Sequence, residues 1–261
     1  MFTLKQVFVG ISLATAVGAV HAQSIGSVTS NDVFLRAGAT TSTGFHGPVG
    51  APGIGLGEGE TWVISLQSIS LPFTKQDTFN GFTRYQLKDY AHSSPGPTPD
   101  TKDYNFNWVQ VPTASNGALK VYFGLVTKKD TTNVTQAFET GDRTGFAAPA
   151  GGTSYNAAGL LVAGAVDGSS PVKLTGTLNL NGAQTVLSGS LADAAAAHTL
   201  AINANNVNAT AGTFDGHSTY KGTSYNNSVN GHFYGAGANS ALAGTVNGGS
   251  DFQAAFGGIA Q

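Results

Sequence analysis

Two histidines lie in loop-like segments of the N-terminal half, where a side chain of this type can bind a ligand. His46 follows Phe45 in the glycine- and proline-containing segment 44–48. Glycines beside it allow the backbone to approach a flat ligand closely. His92 follows Tyr90 by two residues and precedes a run of serines and prolines, and proline restricts the backbone of such a loop. The spacing makes both histidines candidate metal ligands, with Phe45 and Tyr90 as candidate neighbours of the bound group.

Neutral imidazole is a common axial ligand of haem iron, and apolar side chains suit the faces of a porphyrin. Two loop histidines would give a six-coordinate iron, and a single one would leave the sixth position open or filled by water. Ordinary solvated loop histidines are the alternative. Arg84, together with Lys75 and Lys88, lies near His92 in the sequence. These cations are candidates for binding haem propionates, with ordinary surface charges as the alternative.

Three further histidines lie in the C-terminal half. His217 alternates with Phe214, and His232 alternates with Phe233. Successive side chains of a strand point to opposite faces, so these histidines should face away from the apolar side. We expect His198, His217 and His232 to be solvated surface residues.

Composition argues against several other functions. Charged residues make up 10% of the chain and the net charge is −2, whereas nucleic-acid binding requires a clustered basic face. The chain has no cysteine, which excludes disulfides, thiolate metal sites and thiol nucleophiles. It has neither a Gly-x-Ser-x-Gly elbow nor a His-Glu-x-x-His motif. With so few titratable groups, we expect a binding protein that is not an enzyme.

The elements that must position these residues are predicted to be strands. The 36 glycines disfavour long helices, and short alternating runs between Gly, Asn and Ser turns favour an all-β fold. A stretch of small residues at 146–152 divides the chain into segments 23–150 and 151–261. Eight strands are predicted in the second segment, at 157–166, 172–180, 185–191, 199–207, 213–221, 228–234, 241–246 and 251–259.

Eight antiparallel strands in sequence order can close into a barrel without free edges. Small and aliphatic side chains should fill its interior and leave no room for a large ligand. Asn181-Gly182 is typical of a two-residue hairpin. The strands are short and carry Thr, Asn and Ser on their second face, which favours a soluble barrel over an outer-membrane one.

The first segment is less regular. Strands are predicted at 62–66, 81–87, 106–111 and 119–126, and long loops at 38–59 and 92–102. Long loops rich in Pro and Gly on a stranded domain are commonly binding loops.

Residues 1–22 have the features of a secretory signal peptide. Lys5 precedes an apolar run from Val7 to Val20, and a small-x-small cleavage site ends at Ala22. The apolar run is shorter than the roughly 20 residues that span a bilayer. We expect a mature chain that begins at Gln23, carries no lipid because it has no cysteine, and is either released as a soluble secreted product or held at the surface non-covalently.

The last thirty residues resemble a known group of barrels. The segments concerned are Gly231-His232-Phe233-Tyr234-Gly235, Leu242-Ala243-Gly244-Thr245-Val246 and Phe252-Gln253-Ala254-Ala255-Phe256-Gly257-Gly258. They look like the C-terminal barrel of Gram-negative proteins exported by surface lipoprotein assembly modulators, a group that includes transferrin-binding lipoproteins and haem-binding hemophilins. A chain without cysteine that joins an aromatic N-terminal half to this barrel is most similar to a hemophilin.

The resemblance implies an N-terminal handle domain, residues 23–150, that holds haem through histidine. It implies a C-terminal barrel, residues 151–261, that the surface lipoprotein assembly modulator recognises during export through the periplasm and outer membrane. Capture of haem, including from host haemoglobin, and delivery to an outer-membrane receptor would serve iron acquisition. The alternative is a handle that binds a host protein or glycan without haem, with exposed aromatic side chains as anchors.

Overall fold

The computed structural model describes residues 25–30, 34–41, 47–56, 63–69, 75–88, 103–112 and 119–261. The strands of the handle are Ile25–Thr29 (β1), Leu35–Ala39 (β2), Pro52–Leu56 (β3), Ile64–Ser65 (β4), Lys75–Phe79 (β5), Phe82–Lys88 (β6), Tyr104–Gln110 (β7), Val121–Lys128 (β8) and Val134–Asp142 (β9). The strands of the barrel are Ser154–Ala163 (β10), Val172–Leu180 (β11), Leu187–Ala192 (β12), Thr199–Asn208 (β13), Thr213–Tyr220 (β14), Thr223–Tyr234 (β15), Ala241–Asn247 (β16) and Phe252–Ala260 (β17). A single helical turn, Leu66–Ile69 (α1), follows β4, and a 3-10 turn, Gly237–Asn239, precedes β16. The predicted all-β fold is confirmed.

The C-terminal half forms the predicted closed barrel. Each strand from β10 to β16 pairs with the next one, and β17 returns to pair with β10. All eight predicted strands are present, and the largest difference is that β15 begins at Thr223, five residues before the prediction. The predicted two-residue hairpin at Asn181 is wrong. The turn runs over 181–186, because the Asn181 side-chain oxygen accepts hydrogen bonds from the backbone N–H groups of Thr185 and Val186.

Side chains fill the barrel interior, as predicted, and most of them are small or aliphatic, but aromatic rings that were not predicted pack among them. The rings of Phe214 and Phe233 meet edge to face, with centroids 5.1 Å apart. Aromatic residues that are sparse in the sequence converge because each strand turns alternate residues inward. The aromatic members of this core are Tyr155, Phe214, Tyr220, Phe233, Phe252 and Phe256.

The handle contains two sheets that stack in layers against the barrel. The larger has the strand order β1-β9-β8-β7-β6-β5, and the smaller has the order β2-β3-β4. One face of the large sheet packs on the outside of the barrel, where Phe123 and Ala137 share a core with Leu160. Its other face packs on the small sheet, where Trp108 and Leu35 share a second core. The handle and the barrel therefore share an apolar core.

Several handle strands were not predicted. β9 was missed because both of its faces are buried: Glu139 faces the barrel side, and Gln136 faces the small sheet, so buried polar residues obscure the alternation. The predicted loop 38–59 is wrong in part, because it contains β3. The glycines of this segment do not indicate a strand in the sequence. In the structure, Gly53 allows the backbone of Ile64 to approach closely. Within the described part of the predicted strand 62–66, β4 covers Ile64–Ser65 and Leu66 begins α1.

The segment between β9 and β10 holds the predicted domain boundary at residue 150. Hydrogen bonds attach it to the barrel along its length. The N–H of Ala147 donates to the carbonyl of Gly235 at 3.0 Å, and the guanidinium of Arg143 donates to the carbonyl of Ala211. The boundary itself stays a prediction.

Candidate functional site

Four of the sequence-predicted site residues, Phe45, His46, Tyr90 and His92, lie outside the described residues. Their assignment to haem or iron stays a prediction. The signal peptide, residues 1–22, also lies outside the described part of the chain.

Arg84, the fifth predicted site residue, already has a carboxylate partner. Its Nε and Nη2 atoms donate to the two carboxylate oxygens of Asp77 at 2.8 and 3.0 Å, and Lys173 of the barrel contacts the same carboxylate. Burial raises the pKa of Asp77, but hydrogen bonds and charge from Arg84 and Lys173 outweigh it and lower the pKa overall. This arrangement joins β5 and β6 to the barrel, and the propionate role of Arg84 stays a prediction.

The described aromatic side chains of the handle are mostly packed into its core. Trp108, Tyr122 and Phe138 are fully buried between the two sheets. Trp108 stacks on Tyr85 with ring centroids 5.5 Å apart, and burial raises the pKa of both Tyr85 and Tyr122. These rings stabilise the handle and do not form open walls for a ligand.

A pocket lies between the first two strands of the handle. β1 is an edge strand of the large sheet and β2 is an edge strand of the small one. The pocket has a volume of about 460 Å³ and is lined by Ser27, Val28, Thr29, Arg36 and Ala37. Ligand sites in proteins commonly measure about 300–1,000 Å³. The pocket is therefore large enough for a small organic ligand.

The pocket wall carries one positive charge, and a buried hydroxyl lies in the neighbouring strand. The side chain of Arg36 is exposed, and it makes no ion pair with any residue that the structure describes. Thr140 lies directly across from Ser27 in the pairing of β1 with β9 and is fully buried. Its Oγ1 has no hydrogen-bond partner among the described residues. The pocket thus combines a cation with hydroxyl groups.

A second polar cluster, which the sequence did not predict, lies between handle and barrel. Glu139 of β9 is fully buried. Nδ1 of His232 lies 2.6 Å from its Oε1, and the hydroxyl of Tyr234 donates to its Oε2. Burial, followed by the charge and hydrogen bond of Glu139, raises the pKa of Tyr234 well above its usual value.

The expectation that His232 is a solvated surface residue is therefore wrong. Its side chain is only 15% exposed and forms an ion pair with Glu139 when protonated. It does face away from the barrel interior, as the alternation indicates, but the handle covers that face. His198 is also partnered, because its Nδ1 lies 2.6 Å from the hydroxyl of Tyr220. His217 is half-buried on the outer face of β14.

Within the described ranges, no three His, Cys, Asp or Glu side chains lie close enough together to hold a metal ion. The same part of the chain contains no helix with the length and apolar character needed to cross a membrane.

No family model and no curated protein matches the sequence. Two solved structures of transferrin binding protein B are similar to the chain. One is a double mutant of the vaccine antigen from Haemophilus parasuis Hp5, at 17% identity and a TM-score of 0.42 over 72% of this chain and 39% of that one. The other is intact Ap-TbpB with its N and C lobes, at 16% identity and a TM-score of 0.40 over 72% and 38%.

The chain therefore spans about two fifths of the length of these structures. Both TM-scores are below 0.5.

Proposed function

We propose that this chain is a secreted haem-binding protein of the hemophilin type, which captures haem, including from host haemoglobin, and delivers it to an outer-membrane receptor. The proposal is supported by the location of the space that a ligand could occupy. The barrel interior is filled by side chains, whereas a pocket of about 460 Å³ opens in the handle. The resemblance of the closing barrel strands to exported haem-binding proteins supports the choice of ligand.

His46 and His92 would hold the iron of the haem, each through one imidazole nitrogen. Phe45 and Tyr90, next to them in the sequence, would lie against the porphyrin faces. Haem would provide the iron chemistry, and the chain would hold the group and shield its faces from water.

The barrel is proposed to act in export. We propose that the surface lipoprotein assembly modulator recognises the barrel. Because the barrel interior is filled by side chains, this recognition would involve its outer surface. The handle covers β10, β15, β16 and β17 on one side, so the translocon would contact the strands on the other side.

Titration with hemin tests the proposal. We expect saturable binding with a shifted Soret band, and weaker binding or a changed spectrum in His46→Ala and His92→Ala. His217→Ala, which removes an outward-facing barrel histidine, is the matched control and should bind as the unchanged protein does. Unchanged spectra in both handle variants would refute the ligand assignment but leave haem binding intact.

The alternative of a host-protein or glycan-binding handle without haem has less support. Aromatic anchors of a protein interface must be exposed in the free protein, whereas those of the described handle core are buried. Retention of a serum protein by a chain that gives no hemin signal would favour that alternative.

A further inference from the structure

We infer that the pocket between β1 and β2 binds a carboxylate of the ligand and that Arg36 is the counter-ion. The inference rests on the proposed function, and there it assigns Arg36 to the haem propionates. It differs from the sequence-based assignment, which selected Arg84 for this role.

The two arginines differ in whether a described carboxylate already pairs with the guanidinium. The guanidinium of Arg84 forms two hydrogen bonds with Asp77, and its side chain is only 14% exposed. Arg36 lines the pocket, is exposed, and makes no ion pair with a described residue. A guanidinium presents parallel N–H donors that match a carboxylate, and the pair is stronger than a neutral hydrogen bond.

The described wall of the pocket carries no negative charge. Ser27 and Thr29 supply hydroxyls, and Val28 and Ala37 supply apolar surface. A carboxylate entering the pocket would therefore meet hydrogen-bond donors and a cation, without repulsion from the described lining. Apolar walls with a few polar groups are typical of sites for small organic ligands.

Comparison of hemin with hemin dimethyl ester tests the inference, because esterification removes both negative charges and keeps the iron and the porphyrin. Both ligands are titrated into the unchanged full chain, Arg36→Gln and the control Lys221→Gln, which removes an exposed charge from a barrel turn. We expect Arg36→Gln to bind hemin about tenfold more weakly, the effect of losing one charge-assisted hydrogen bond. It should bind the ester as the unchanged protein does, and Lys221→Gln should match the unchanged protein with both ligands.

Equal hemin affinity in Arg36→Gln and the unchanged protein would overturn the inference and leave the proposed function intact. An equal loss for hemin and for the ester would also overturn it, because Arg36 would then act on the fold of the site and not on the carboxylates. Failure of the unchanged protein to bind hemin would overturn the proposed function and this inference together.

Discussion

The hydroxyl of Tyr234 in the barrel donates a hydrogen bond to the carboxylate of Glu139 in the handle. Both side chains are fully buried. Nδ1 of His232 provides a second contact to the same carboxylate, at 2.6 Å. A buried carboxylate is stable only when donors or cations satisfy it. These contacts therefore help to specify how the handle sits on the barrel, next to the apolar core that the two parts share.

Replacing Tyr234 by Phe should destabilise the protein. The change removes one donor to a buried charged group, and we expect the free energy of unfolding to fall by about 1.5–3 kcal/mol. Urea denaturation measures this value. Tyr225→Phe is the matched control, since its hydroxyl donates to Asp251 at an exposed position, and we expect an effect within about 0.5 kcal/mol. Equal effects of the two substitutions would contradict the role given to the buried contact.

Gly141 should tolerate no larger side chain. Gly141 and Gly26 face each other across β9 and β1, and a Cβ on Gly141 would overlap the ring of Tyr234. We expect Gly141→Ala to lower the free energy of unfolding by about 1–3 kcal/mol through overpacking. Gly182→Ala in an open turn, with no atom near its added Cβ, should change stability by less than about 0.5 kcal/mol. A Gly141→Ala protein as stable as the unchanged protein would show that the ring of Tyr234 does not require the space beside Gly141.

The sequence predicts the barrel well because one face of each strand carries polar or small side chains and the other face carries apolar ones. In β11, Leu174, Leu178 and Leu180 are buried while the threonines between them face outward, so the period of two is visible. The same reasoning fails for β9, which is covered on both faces and contains buried polar residues. Alternation correctly turns His232 outward, but it carries no information about the handle that covers this face.

The Asp77 cluster should make stability depend on acid. The pKa of Asp77 is lowered below its ordinary value of 3.8 in the folded protein, so its stabilising effect is present above that value and is lost as the pH falls. Asp77→Asn should therefore be less stable than the unchanged protein at pH 7, by no more than about 1 kcal/mol because the pair is partly exposed. The difference should shrink below about pH 4.

Urea denaturation between pH 3 and pH 7 measures this dependence. Lys173→Gln removes one of the two cations. It should lower the free energy of unfolding at pH 7 by less than Asp77→Asn does, and this difference should also shrink as the pH falls. A difference between Asp77→Asn and the unchanged protein that stays constant over this pH range would contradict the assignment.

Two asparagines of β7 hold a barrel loop against the handle. The side-chain amide of Asn107 donates to the carbonyl of Gly168 at 2.9 Å, and that of Asn105 donates to the carbonyl of Asp167 at 2.7 Å. Asn107→Ala should lower the free energy of unfolding by about 1–3 kcal/mol, because it leaves a carbonyl without its donor. Amide hydrogen exchange should become faster over 164–171.

Asn179→Ala, at an exposed position of β11, is the matched control and should leave exchange in that loop unchanged. Equal exchange in Asn107→Ala and the unchanged protein would show that the loop is held by other contacts.

The candidate ligand site was only partly accessible to sequence reasoning. Arg84 was selected because it is near His92 in the chain, but chain proximity does not reveal that Asp77 lies opposite it across a hairpin. The segment around Arg36 has no clear strand pattern in the sequence, so the sequence does not indicate a role for this residue. The pocket that Arg36 lines is formed by two edge strands of different sheets, a relationship that exists only in the folded chain.

The central claim is that the handle binds haem, and an absorption titration of the mature chain with hemin tests it most directly. The account predicts a shifted Soret band that saturates at one equivalent and is retained when free hemin is removed by gel filtration. A linear increase without a band shift, and loss of the hemin on gel filtration, would contradict the account.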